Sequence, residues 1–148
     1  MKAILLTLGI ALVATACDQS KTERVTEAIW SPEQPKIVAI YRVKDEERTR
    51  IGEERYYENG QLEYTGEFNE KGQRHGLWKY YYKNGNLWSE GRYDNGKKTG
   101  LKKVYWPDGT LRFEGQYAND KQVGVWTFYN PDGTVLHEKD FGNGTDNR

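Results

Sequence analysis

Reactive side chains are scarce in this 148-residue chain, which has one cysteine, Cys17, and two histidines, His75 and His137. A hydroxyl or thiol nucleophile needs a base within hydrogen-bond reach, and zinc needs four donors held close together. Three such residues this far apart meet neither demand, so the sequence predicts no catalytic centre, no metal site and no cofactor. His75 reads as a residue of a surface loop, and His137 as a partly buried filler on a strand. Carboxylates are plentiful, yet Glu90, Glu114 and Glu138 stand at intervals of 24. That regularity suits cross-strand partners better than a general acid and base. No glycine-rich phosphate cradle precedes a helix. With 22 basic and 22 acidic residues, electrostatic attachment to nucleic acid or to a bare anionic membrane is not expected.

What remains is the chemistry of contact. Tyr56, Tyr81, Tyr105 and Tyr129 recur once per unit of the chain. Tyrosine offers apolar area and a hydroxyl at small entropic cost, which suits a binding surface. The same regularity also suits a structural ladder in which each ring packs on the next, and both readings stay open. Trp88 and Leu136 lie beside that column without recurring, as expected of residues that touch a partner. These six form the candidate partner-binding set.

The elements that must position them follow from a repeat of 24 residues. Gly52, Gly76, Gly100 and Gly124 open successive copies, and Asn59-Gly60, Asn84-Gly85, Asp108-Gly109 and Asp132-Gly133 follow at spacings of 25, 24 and 24. A second glycine comes six residues later, at Gly66, Gly91 and Gly115, and is replaced by Lys139 in the last copy. Apolar and polar residues alternate, as in Trp78-Lys79-Tyr80, and the apolar ones are aromatic, which favours strands. Asn84-Gly85 is expected to fill both left-handed positions of a two-residue hairpin turn. Tyr82 then faces Leu87, Tyr80 faces Ser89, Lys79 faces Glu90 and Trp78 faces Gly91, with the glycine making room for the indole. The fold class is all-β: antiparallel hairpin repeats in an elongated, curved, single-layer meander. One face gathers Trp78, Tyr80, Val104, Phe113, Trp126 and Phe128. The other is charged and carries the tyrosine column with Trp88 and Leu136.

The ends read differently. Lys2 and the apolar run from Ile4 to Ala14, closing on Ala-Thr-Ala-Cys, predict a lipoprotein signal peptide over 1–16 with lipidation at Cys17. Asp18 and Gln19 resemble an inner-membrane retention signal, which places the protein in the cell envelope, on the periplasmic face of the inner membrane if the host has two membranes. Residues 17–35 read as a tether, 36–144 as the repeat domain and 145–148 as a disordered tail. Within the domain, Lys36 to Val43 reads as a degenerate strand capping the first hairpin, and Lys44 to Arg50 as an exposed linker.

The residues Gly76, Trp78, Tyr81, Tyr82, Asn84, Gly85, Leu87, Gly91, Tyr93, Asn95 and Gly96, with their counterparts in other copies, resemble the bacterial variant of the MORN repeat (membrane occupation and recognition nexus). The likeness runs from 51 to about 144. The first copy has Glu53 in place of tryptophan, and the last lacks its second glycine. Similar bacterial proteins are grouped as YwqK-like antitoxin components, so the resemblance implies protein binding and neutralisation of a toxin. In an exported, lipid-anchored chain that becomes an immunity-type role in the envelope. The alternative is a cell-wall glycan-binding module whose exposed tyrosine and tryptophan rings stack on sugars.

Overall fold

Turn chemistry follows every strand, so the chain can only fold back on itself. The computed structural model describes residues 20–144, and within them ten antiparallel strands form one open sheet in chain order. These are β1 (Lys21–Ser31), β2 (Gln34–Lys44), β3 (Glu47–Tyr56), β4 (Leu62–Phe68), β5 (Arg74–Tyr81), β6 (Leu87–Asp94), β7 (Lys97–Tyr105), β8 (Leu111–Ala118), β9 (Lys121–Tyr129) and β10 (Val135–Asp140). The signal peptide over 1–16, Cys17, Asp18, Gln19 and the tail over 145–148 lie outside the described residues.

Two kinds of turn alternate. At Tyr82 to Asn86 the Gly85 amide donates to the Tyr82 carbonyl at 2.9 Å, and the Tyr82 amide donates to the Asn86 carbonyl at 2.8 Å. Only Gly85 has positive φ there. This is a three-residue loop ending in a left-handed glycine, not the expected two-residue turn. Asn84 serves through its side chain, accepting the Asn86 amide at 3.0 Å. Asn59, Asp108 and Asp132 do the same in their copies. The two-residue turns with both residues at positive φ lie instead between the copies, at Asp45-Glu46, Asn95-Gly96 and Asn119-Asp120. The segment read as a linker, Lys44 to Arg50, is therefore the tight β2–β3 turn with its strand ends. Between β4 and β5 the connection is again a three-residue loop, closed from Asn69 to Gln73. That extra residue accounts for the single spacing of 25.

Register on the strands agrees with expectation for Tyr80 with Ser89, Lys79 with Glu90 and Trp78 with Gly91. Leu87, however, pairs with Tyr81 and not with Tyr82, because the ladder slips between Tyr80 and Tyr81 and leaves Trp88 as the bulged residue. Gly52 also loses its expected equivalence. It pairs with Glu67, as Leu77 pairs with Arg92, and it lacks the positive φ shared by Gly76, Gly100 and Gly124.

The largest departure is at the N-terminal end, where residues assigned to a tether form β1 and pair with β2 from Lys21 with Val43 to Ser31 with Gln34. Val25, Ala28 and Ile29 are spread among charges, a weak signal that pairing with Val38 and Ala39 overrides. Val38 and Ala39 are buried. Consecutive hairpins are stapled by side-chain donors. The Trp30 indole donates to the Tyr56 carbonyl at 2.8 Å, Tyr57 to the Tyr81 carbonyl at 2.9 Å and Tyr82 to the Tyr105 carbonyl at 2.8 Å. The next residue in this series, Trp106, buries an indole nitrogen that has no acceptor.

Candidate functional site

Three of the four column tyrosines donate to carboxylates, which accounts for their recurrence without the expected packing of ring on ring. Tyr56 donates to the Glu54 carboxylate, Tyr105 to Glu90 at 3.1 Å and Tyr129 to Glu114 at 3.0 Å. Burial, aided by the bond to Glu90, raises the Tyr105 hydroxyl to about 12. The Glu114 bond comes first in raising Tyr129. The glutamate column is thus occupied by these hydroxyls and by cross-strand partners, with Lys103 at 3.4 Å from Glu114. Tyr81 differs, since Thr65 stands where a glutamate would receive its hydroxyl. It borders a hollow of about 790 Å³ whose lining includes Lys79, His75, Glu67 and Glu70.

Trp88 does not share a face with that column. Its ring lies 6.2 Å from Tyr80 and 6.1 Å from Tyr82, on the side of Trp78, because the bulge turns it over. Leu136 occupies the same bulge position in the last hairpin, skipped between Val135 and His137. Both are open to solvent, at 44% and 59%. The remaining titratable candidates separate as well. His75, read as a loop residue, is the second residue of β5, where it is exposed and lies 3.4 Å from the Asp94 carboxylate. His137 is exposed, not partly buried, and stacks on Phe128 at 4.5 Å. Among the described residues no three of His, Cys, Asp or Glu gather to hold a metal ion.

A row of paired residues crosses the Trp78 side of the sheet: Tyr64, Tyr80, Ser89, Val104, Phe113, Phe128 and His137. Its third and fourth members, Ser89 and Val104, are small, and they divide the aromatic residues into two clusters. Trp78 touches Tyr64, Phe68, Tyr80 and Tyr93, and Trp126 touches Phe113, Tyr117 and Phe141. Each indole is 1% exposed and lies over the glycine of the preceding strand. A Cβ on Gly66 would fall inside the Trp78 ring, and one on Gly115 inside the Trp126 ring. The sequence reading placed Trp78 over Gly91, its register partner. The ring instead leans back one strand, to Gly66.

In the copy between them the tryptophan is replaced by Lys102, whose stem crosses Gly91 with its Cδ 3.0 Å from where a Cβ would stand. With Lys102, Ser89 and Val104 all smaller than their counterparts, a cavity of about 390 Å³ opens between the clusters. Four cations line it, Arg92, Lys98, Lys102 and Arg112, and no carboxylate does. Burial first, then the charge of Lys98, lowers the Lys102 amine to about 8, with Glu90 opposing. The expected pairs Tyr80 with Ser89 and Val104 with Phe113 held the signal for this gap. Aligning the copies for what is missing, not for what recurs, would have found it.

The sequence profile described as MORN repeat variant matches residues 52–70, 74–95, 98–119 and 122–143, which coincide with the four C-terminal hairpins and leave the β1–β2 hairpin outside. No curated protein matches the chain.

Proposed function

The chain belongs to the MORN repeat variant family, and from that premise we propose that it is a non-catalytic protein-binding repeat held in the cell envelope by a lipid on Cys17. Its partner is a protein presenting acidic and apolar residues, and an exported immunity-type role against a toxin fits the signal peptide and the repeat together. One observation carries this reading: the aromatic side of a single-layer sheet is dressed with cations. Arg74 lies 4.3 Å over the Trp78 ring, Arg112 4.3 Å over Trp106, Lys139 4.6 Å over Phe141 and Lys98 5.2 Å over Tyr117. Exposed Trp88 and Leu136 add apolar anchors. An apolar surface ringed with positive charge favours a partner of the opposite sign.

Photo-crosslinkers at Trp88 and at Gln116, which is exposed on strand β8, separate this from other uses of the sheet. The reading expects one partner protein from the first position and none from the second, with the yield falling as salt rises. Equal yields from both positions, or co-sedimentation with purified peptidoglycan in place of any protein crosslink, would remove it. The anchor has its own test: Cys17→Ser should abolish palmitate labelling and release the chain from membranes.

A further inference from the structure

The gap around Lys102 has the form of a ligand site. Three positions shrink together: a tryptophan position holds Lys102, an aromatic position holds Val104, and another holds Ser89. The backbone keeps its register, with Gly91 opposite Lys102 on β7 and opposite Trp78 on β5. The space vacated is thus bounded by an aromatic wall on each side, Trp78, Tyr80 and Tyr93 on one and Phe113 and Tyr117 on the other. In the flanking copies the indole N–H donates to a backbone carbonyl, Trp78 to Glu67 at 3.0 Å and Trp126 to Gln116 at 3.2 Å. Lys102 supplies no such ring and no such bond.

Charge selects further. In a chain with equal numbers of acidic and basic residues, the lining holds four cations and no carboxylate. Among the described residues Lys102 has no ion-pair partner. Its amine lies 5.9 Å from the centre of the Tyr80 ring, a weak cation–π approach. Glu90 acts on the amine from a distance and is outweighed by burial and Lys98, and a half-buried ammonium with no carboxylate in contact is costly unless an anion arrives.

We propose that this cavity binds a planar aromatic group carrying a carboxylate, of about the size of tryptophan, with the ring between the two aromatic walls and the carboxylate against Lys102 and Arg112. The ring takes the place that the repeat elsewhere fills with its own indole, and the carboxylate satisfies the unpaired amine. Two sources offer this chemistry, a free aromatic acid and the C-terminal residue of a peptide chain. Trp88 borders the cavity as well as the proposed docking surface, but the small-molecule titration below needs no protein partner, so its outcome is separate from that of the crosslinking.

The experiment titrates full-length protein with indole-3-propionate, indole-3-propionamide and a tetrapeptide ending in tryptophan with a free carboxylate, read by calorimetry and by aromatic NMR shifts. The acid should bind saturably and the amide roughly tenfold more weakly or worse, the loss expected for a charge-assisted hydrogen bond. Lys102→Trp, which restores the residue of the flanking copies, should abolish binding. Lys102→Met keeps an apolar pocket without the charge and should erase the preference for acid over amide, which decides the matter if the tryptophan variant does not fold. Tighter binding of the free acid or of the peptide names the source, and either order upholds the site. No saturable binding at millimolar probe, equal affinity for acid and amide, or undiminished binding by folded Lys102→Trp would overturn it.

Discussion

The Trp126 and Lys102 copies share a backbone and differ in what fills it. At the first, an indole is sealed against Gly115 and joined by Tyr117, Phe113 and Phe141. At the second, a lysine stem crosses Gly91 and leaves a charged cavity. The contrast teaches that register in this sheet is set by turns and main-chain ladders, so a copy can give up its aromatic plug without losing its place. A repeat array can therefore concentrate function in the copy that departs from its pattern, because the neighbours keep the geometry.

The two copies should part most widely when one methyl group is added to each glycine. Gly115→Ala drives a carbon into the Trp126 ring and should cost about 3 kcal/mol or more, close to the loss of the indole itself. Gly91→Ala meets only the Lys102 stem at 3.0 Å, which can swing aside, and should cost below about 1 kcal/mol. Chemical denaturation of the two variants reads the difference, and equal costs would show that the copies are filled alike. Next in size, Lys102→Trp should stabilise the protein by about 1–2 kcal/mol through cavity filling, seen as a higher melting temperature.

A smaller effect lies in the tyrosine column. Tyr105→Phe removes the bond to Glu90 and should cost about 0.5–1.5 kcal/mol, while Tyr81→Phe, with Thr65 in the place of that carboxylate, should be close to neutral. A further effect is in pH. The Lys102 amine is lowered in the folded state to about 8 from 10.5, chiefly by burial. The unfolded chain then holds the proton more tightly between those values, so stability should rise from pH 8 toward 10.5 and the penalty should be complete below 8. Affinity for the carboxylate probe should fall over the same rise, as Lys102 discharges beside Lys98, Arg92 and Arg112 with Glu90 near. A flat thermal profile, or one unchanged in Lys102→Met, would show that the amine is not shielded.

The hairpin array was legible because its signals are local: glycines at fixed intervals, Asn-Gly and Asp-Gly pairs, and alternating aromatics. Local signals also set the limits. Asn84-Gly85 and Asn95-Gly96 look the same in sequence, yet the first closes a three-residue loop and the second a two-residue turn. The choice shifts Leu87 by one place and sends Trp88 to the other face. The β1 strand was missed because its partner residues lie in β2, across a turn without asparagine or glycine. Among the six candidate contact residues, four were read by recurrence alone, and recurrence is what a carboxylate ladder and a docking surface have in common. The Lys102 gap could not be seen by looking for repeats, since it is the failure of one.

One series of hydroxyl and indole donors staples each hairpin to the next toward the C-terminus, from Trp30 through Tyr57 to Tyr82, and it lapses at Trp106, whose nitrogen finds no acceptor. The molecule therefore has a grain. Its final hairpin lacks that forward latch and is tied back only through β9, by Trp126 to the Gln116 carbonyl and Tyr129 to Glu114, while β10 is exposed along its whole length. Peeling under heat or force should begin at β10 and run backward, so that the β1 end is the last to let go.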